Sequence, residues 1–298
     1  MKKQVMTVLA FLAVYLFWGG TYLGMKFALA DFTPAVMGGI RHMSAGLILF
    51  SVGRLRKDPL PTLNQIKNAA IVGTLLLLIG NGLVAWSEQR VPSAIASLMI
   101  SAVPLWIALI NWRLGDQKKP TLPQLVGIVL GLFGISILVF KSSTSPLEGF
   151  DLIGLLALLA ASISWSFGSL YSRFAKLPTS AFNNISIQMM TGGFFLLVIA
   201  IASGEWAKTD FTAIQTTSLW AMGYLILFGS VIAYSSYIWL MKNVNPAWVS
   251  TYAFVNPIVA VTLGWAIGNE VLTPTSLLSA GIILIAVIII TLSQRPKR

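Results

Sequence analysis

Long apolar stretches alternate with short polar connections along the whole chain. A helix needs about 20 mostly apolar residues to cross the hydrocarbon core of a bilayer. Ten stretches reach that length and predict ten transmembrane helices, called predicted spans 1 to 10 below: approximately 5–25, 34–53, 69–87, 92–112, 122–140, 151–172, 183–203, 217–240, 246–266 and 275–293. The connections are too short for an inserted soluble domain, so the pattern predicts an all-α membrane protein.

Composition agrees with lipid as the solvent. The 298 residues are 56% hydrophobic and only 10% charged, whereas soluble domains average about 25% charged residues. The chain has no cysteine, a single histidine (His42) and no phosphate-binding GxxxxGK[ST] motif. These absences predict no disulfide, metal site, ATP-driven step or other cofactor, and no catalytic Ser-His-Asp set.

The formal net charge of +11 follows membrane topology. Basic residues concentrate on the cytoplasmic side of membrane proteins. If the N-terminus is cytoplasmic, 15 of the 20 Lys and Arg residues fall on the cytoplasmic side and 5 on the other. The pattern predicts ten spans with both termini cytoplasmic, and it removes nucleic acid as the expected partner.

The two halves of the chain share short motifs. Residues 40–46 (IRHMSAG) align with 187–193 (IQMMTGG) at an offset of 147, and Trp18 aligns with Trp165 at the same offset. Each half would hold five spans, and an odd number turns the second half upside down. The sequence therefore predicts two inverted repeats, 1–143 and 144–298, which is the plan of many secondary transporters.

A helical hairpin broken by proline occurs once in each half. Residues 81–104 contain Glu88 and end at Pro104, and residues 229–257 end at Pro257. Proline removes a backbone donor and permits a kink, so Pro104 and Pro257 are predicted hinges. The two hairpins are predicted to wall a central substrate pathway.

Several of these motifs together resemble a known family. They are Trp18-Gly19, Lys26, Pro34, Arg41, Pro92-Ser93-Ala94, Pro104, residues 165–171, Gly229-Ser230, Asn245-Pro246-Ala247 and Asn256-Pro257. In this order they resemble the EamA family of ten-helix permeases in the drug/metabolite transporter superfamily. The resemblance implies a proton-linked or facilitated exporter of small metabolites or drugs, with predicted spans 3, 4, 8 and 9 around its cavity.

Polar and aromatic residues inside the predicted spans are the candidate pathway, because such groups are costly in lipid. The candidates are Trp18, Tyr22, Arg41, Asn81, Glu88, Ser97, Trp165, Ser169, Gln188, Tyr234, Tyr237, Tyr252 and Asn256. Each aromatic residue is equally compatible with helix packing or an interfacial belt. The set suits amphipathic, including zwitterionic, solutes such as amino acids and their derivatives.

Arg41 and Glu88 are predicted at similar depth near the outer ends of spans 2 and 3. We expect them either to pair with each other or to line a common aqueous vestibule, and a purely structural ion pair is the alternative. His42 is expected to face elsewhere and to pack. Gly127 and Gly131 form a GxxxG motif, with Gly281 as its counterpart, which predicts close packing of spans 5 and 10 or a dimer face.

The sequence thus predicts a secondary transporter, not an enzyme, that moves small molecules through a central cavity by alternating access. Its expected location is multi-pass in a bacterial inner (plasma) membrane, in contact with lipid. A channel or lipid scramblase is the alternative, and an intramembrane enzyme is a more distant one. The coupling ion, including protons, and the oligomeric state stay open.

Overall fold

A computed structural model describes residues 2–114, 120–144, 151–244, 249, 251–271 and 273–293. Within these residues all regular secondary structure is helical. The helices, numbered in chain order, are α1 Lys3–Ala28, α2 Pro34–Leu55, α3 Leu63–Ser87, α4 Ser93–Ile100, α5 Val103–Leu114, α6 Leu122–Thr144, α7 Leu152–Phe174, α8 Ala181–Ala202, α9 Glu205–Lys208, α10 Thr216–Leu240, α11 Tyr252–Ala266 and α12 Pro274–Ser293.

Seven stretches are long and apolar enough to cross a bilayer: α1, α2, α3, α4 with α5, α7, α8 and α10. They correspond to seven of the predicted spans. The apolar parts of α6, α11 and α12 are shorter, at 10–17 residues, and correspond to predicted spans 5, 9 and 10. The motif Asn245-Pro246-Ala247 lies outside the described residues, so the second proline-broken hairpin is described only in part.

Three long helices contain π-helical segments where the sequence predicts regular α-helix. They lie at Ala13–Trp18 in α1, Thr74–Asn81 in α3 and Leu225–Ala233 in α10. A π turn adds a residue to the helical turn, and such turns are frequent at functional sites. Here they change which residues of three helices face the interior.

The two predicted hinge prolines have different local structure. Helix α4 ends at Ile100 and α5 begins at Val103, so the helix is interrupted just before Pro104. Pro257 lies inside α11, which continues through it from Tyr252 to Ala266. The loss of a backbone donor therefore interrupts the helix in the first hairpin and is tolerated in the second.

Glycines allow two helix pairs to pack closely. A Cβ on Gly193 of α8 would lie 2.6 Å from the backbone nitrogen of Met43 in α2. A Cβ on Gly127 of α6 would lie 2.6 Å from a side-chain carbon of Ile290 in α12. Gly281 has no described atom within 4 Å of such a Cβ, so its predicted role in packing α6 against α12 is wrong.

Loop contacts fall into two groups at the helix ends. In the first group, the Ser180 hydroxyl bonds Asp58, and the Asn183 amide donates to the Pro59 carbonyl at 2.8 Å. The second group joins the backbone N–H of Ala35 to Glu205 at 2.8 Å, and Arg90 to Asp151 at 3.3 Å. Each group ties together loops that the charge pattern assigns to one side of the membrane.

Candidate functional site

A central cavity lies between helices from both halves of the chain. Its walls come from α1, α2, α3, α4, α5, α7, α8, α10 and α11. The space that no protein atom fills is about 850 Å³, including the part that opens to the outside. The lining is mostly apolar with a few placed polar groups, which is the usual character of small-molecule sites.

Nine of the thirteen candidate pathway residues line this cavity, together with the hinge residue Pro257. The nine are Trp18, Tyr22, Arg41, Asn81, Ser97, Trp165, Tyr234, Tyr252 and Asn256. All three π segments contribute lining residues, among them Trp18, Asn81 and Ser230. The wider turns therefore lie where the helices face the cavity.

Ser169 and Gln188 do not belong to the described cavity wall. The Ser169 hydroxyl donates to the Trp165 carbonyl in its own helix at 2.7 Å. The Gln188 amide donates to Asn184 at 2.9 Å, and its oxygen accepts from the Tyr234 hydroxyl at 2.7 Å. Both side chains bond to protein neighbours, and their place in the pathway stays a prediction.

Tyr237 is also absent from the described wall, but it packs in an aromatic cluster whose other members line the cavity. The cluster contains Trp18, Tyr234, Tyr237 and Tyr252, whose ring centroids are 5.1–6.2 Å apart in the contacting pairs. These are favourable separations for aromatic pairs. The Trp18 indole also donates to the carbonyl of Gly229 at 2.9 Å, which fixes this wall of the cavity.

Arg41 is buried in α2 and faces the cavity. Its Nε donates to the Ser230 hydroxyl of α10 at 3.0 Å. The predicted pair with Glu88 is not formed: in the described residues no carboxylate oxygen lies within 4.0 Å of the Arg41 nitrogens. The guanidinium is therefore held by a neutral partner and keeps its charge unpaired.

Glu88 lies one residue beyond the apolar helix α3, and both its carboxylate oxygens are buried without a hydrogen-bond partner in the described structure. It does not appear in the described cavity wall, so the predicted shared vestibule with Arg41 is also corrected. Seven residues of helix separate it from Asn81, or about 10 Å along the axis. The pKa of Glu88 is raised well above its usual value, by burial first and then by the negative charge of Glu270.

His42 lines the cavity beside Arg41, contrary to the expectation that it packs elsewhere. Its Nδ1 atom is buried with no hydrogen-bond partner among the described residues. Adjacent positions of a regular helix point about 100° apart, which motivated the expectation. The cavity nevertheless includes both the Arg41 and the His42 side chain in its wall.

Glu270, which the sequence did not single out, makes the densest polar contacts near the cavity. Its carboxylate accepts the backbone N–H groups of Ser93 at 3.0 Å and Ala94 at 3.1 Å, and the Ser93 hydroxyl at 2.8 Å. Lys26 of α1 completes the set at 3.1 Å. A carboxylate at a helix N-terminus is favoured by the helix dipole. Glu270 thus joins α1, the start of α4 and the loop after α11, and these contacts are called the Glu270 latch below.

The backbone around Glu270 brings its carboxylate into place. Asn269 has a positive φ of 52°, which turns the chain back after α11. A Cβ on Gly264 would lie 2.7 Å from a carboxylate oxygen of Glu270, so an alanine there would displace the carboxylate from its present position. Burial raises the pKa of Glu270, but hydrogen bonds from Ala94, Ser93 and Lys26 outweigh it and the pKa is lowered overall.

Comparison with solved structures supports the fold. One crystal structure, named only "Crystal structure of protein", superposes with a TM-score of 0.69 at 19% sequence identity and covers 97% of this chain and 99% of its own. Identity this low shows a shared fold and nothing more.

Sequence comparisons identify relatives and a family. The chain is 38% identical to the "Uncharacterized inner membrane transporter YedA" of Escherichia coli K12, over 96% of this chain and 90% of YedA. It is 23% identical to the "Uncharacterized transporter YoaV" of Bacillus subtilis 168, over 93% and 94% of the two chains. The sequence model of the EamA-like transporter family matches residues 5–140 and again 152–292. With nearly the whole length covered, the chain belongs to the EamA-like transporter family.

Proposed function

We propose that this chain is a secondary transporter that exports small amphipathic metabolites by alternating access through its central cavity. The main support is the cavity itself. Its wall is mostly apolar and aromatic, and it contains a few polar atoms that have no hydrogen-bond partner in the described structure. YedA is named an inner membrane transporter, and the same location is proposed here. A non-enzymatic role accords with the family.

The proposed architecture is ten spans in two inverted repeats, 1–143 and 144–298. The family model matches once in each half, which supports the division. The helices α3 and α10, which contain the aligned stretches 80–81 and 229–230, each have a π segment at that point. Aligned helices also pack together, α2 against α8 and α6 against α12.

Cytoplasmic termini are part of the proposal. The distribution of Lys and Arg supports it. The loop contacts agree with the grouping of loops into two sides, because the described loops of one side bond to each other. On this topology the Glu270 latch is at the outer end of the cavity. The aromatic cluster is nearer the cytoplasmic end, where the Tyr15 hydroxyl bonds that of Thr251.

Alternating access needs each end of the cavity to open while the other is closed. We assign the outer closure to the Glu270 latch, since it links three separate parts of the chain by four contacts. The proposed hinges are the interruption of the helix before Pro104, which would let α4 move, and Pro257, whose missing backbone donor would let α11 bend.

Protons are the proposed coupling ion, and Glu88 is the proposed carrier. A buried carboxylate without partners is costly when ionised, so small changes in its surroundings alter its proton affinity. Glu270, Arg41 and Lys26 all act on it electrostatically, and two of them belong to the latch. Glu270 itself is a poor carrier because its lowered pKa keeps it ionised at neutral pH.

Reconstitution in proteoliposomes tests the proposed function. Labelled organic acids, amines and neutral solutes are measured for saturable uptake and counterflow, with and without a pH gradient. Saturation and counterflow of at least one solute are expected. Flux that rises linearly with concentration and lacks counterflow would instead indicate a channel, and absence of flux for every solute would contradict transport. Glu88→Gln should abolish the effect of the pH gradient.

A further inference from the structure

The charge of the cavity wall is one-sided. Arg41 is the only Lys, Arg, Asp or Glu among the described residues that line it. Two acidic residues of the described structure lie near the cavity, but neither lines it. Glu270 bonds to Ser93, Ala94 and Lys26, and the oxygens of Glu88 are buried outside the wall. From the described part of the wall, a solute therefore meets one fixed positive charge and no fixed negative one.

Arg41 has unused hydrogen-bonding capacity. A guanidinium has five N–H donors in a planar fork. In the described structure only the Nε donor of Arg41 has a partner, the Ser230 hydroxyl at 3.0 Å. That bond fixes the plane of the guanidinium and leaves the two terminal nitrogens for another group. This pair of nitrogens matches the two oxygens of a carboxylate.

A buried charge without a counter-ion is costly, and a bound anion would supply the counter-ion. The remaining walls favour an apolar body on that anion, since Trp18, Tyr22, Trp165 and Tyr252 present aromatic surface to the same space. These rings can also attract cations, but the nearby Arg41 charge opposes a cation in this cavity.

We propose that the cavity binds solutes with one carboxylate on an apolar, ring-sized body, the carboxylate resting on the terminal nitrogens of Arg41. The inference rests on the proposed transport function and names its substrate class. It narrows the earlier expectation, which included zwitterions and drugs, because Glu88, the acid among the predicted pathway residues, is not in the described wall.

The test is a matched series of three ligands with one body: 3-phenylpropionate, 3-phenylpropionamide and 3-phenylpropylamine. Binding to the purified full chain is measured by calorimetry. A hydrogen-bonded charge pair predicts that the carboxylate binds about ten- to a hundredfold more tightly than the neutral amide, and that the amine binds more weakly still. Equal or tighter binding of the amide or the amine would overturn the proposal.

Variants test whether Arg41 causes the tighter binding of the carboxylate. Arg41→Gln should remove the preference for the carboxylate, and Arg41→Lys should keep part of it because the charge stays while the fork is lost. Ser230→Ala is the milder variant if Arg41→Gln does not fold, and it should weaken the preference by freeing the guanidinium. Arg90→Gln, at an arginine outside the cavity, is the control and should bind like the wild type. A full preference in Arg41→Lys, Arg41→Gln and Ser230→Ala would overturn the assignment.

Flux measurements separate this inference from the proposed function. Counterflow of the carboxylate alone supports both. Counterflow of the amine but not of the carboxylate leaves transport standing and overturns the substrate class. A preference for the carboxylate in binding, with no flux of any ligand, supports the site and contradicts transport.

Discussion

The Glu270 latch gives the sharpest test of alternating access. Glu270→Gln keeps the shape of the side chain but removes its charge and replaces one of its two acceptor oxygens by an NH₂ group. In the structure one oxygen serves Ser93 and Lys26, and the other serves the N–H of Ala94. Whichever oxygen becomes nitrogen, at least one backbone N–H at the start of α4 loses its acceptor.

The size of the effect follows from these contacts. A hydrogen bond to a charged group contributes about 1.5–3 kcal/mol, and the ion pair with Lys26 adds little because the Lys26 side chain is 36% exposed. We expect Glu270→Gln to destabilise the latched state by about 2 kcal/mol, which raises the ratio of open to latched molecules about 30-fold.

The assay uses the natural absence of cysteine. Ser97→Cys places a single thiol in the cavity wall, and its labelling by a membrane-impermeant maleimide is timed from the outer face. Labelling should be slow with Glu270 intact and at least about tenfold faster in Glu270→Gln. The control is Glu205→Gln, which removes a carboxylate that accepts the N–H of Ala35 at 2.8 Å and has no described contact with α4. Equal labelling rates in Glu270→Gln and its parent would refute the latch.

Three further substitutions test separate parts of the structure. Gly264→Ala should repeat the faster labelling of Glu270→Gln, since its Cβ would lie 2.7 Å from the Glu270 carboxylate; unchanged labelling would contradict the proposed close approach. Glu88→Gln should flatten the pH dependence of the melting temperature. A carboxyl with a raised folded pKa stabilises the protein fully below its unfolded pKa, and this contribution is lost as the pH rises through the folded pKa. Identical curves for variant and wild type from the unfolded pKa of a glutamate upward would contradict this. Gly73→Ala should prevent stable expression, as its Cβ would lie 2.3 Å from a backbone carbonyl of α8, while Gly223→Ala, with open space around it, should express normally; equal yields would argue against the tight contact.

Much of the cavity was predictable because lipid penalises polar groups. Arg41, Asn81 and Asn256 are unexpected in apolar stretches, and that cost alone indicates that they face an interior space. All three line the cavity. Gln188 shows the ambiguity of the same reasoning, since a polar side chain in a span can equally bond to its neighbours.

The missing parts depend on geometry that local sequence does not encode. Glu270 follows an apolar helix and resembles any loop acid, and its partners Ser93 and Ala94 are brought to it only by the packing of α4 beside α11. The π segments have no recognisable composition, as in the apolar run of Thr74–Asn81. The position of Glu88 along its helix could not be judged from the sequence either. Asn81 and Glu88 share a helix face, but Asn81 lines the cavity and Glu88 lies beyond its described end.

The two halves of the chain treat corresponding polar positions in opposite ways. In the second half the position aligned with Arg41 is Gln188, which bonds to Asn184 and Tyr234. In the first half Arg41 and Glu88 are both charged types, and neither bonds to the other. Neutral groups that satisfy each other stabilise a fixed helix arrangement. Buried charged groups without a counter-ion cost stability in the absence of a ligand. A bound carboxylate at Arg41 and a proton on Glu88 would remove this cost. The protein would then change its stability when either of them binds, which a transporter requires. The asymmetry between Arg41 and Gln188 therefore favours the first half as the part whose charged groups respond to the solute and to the proton.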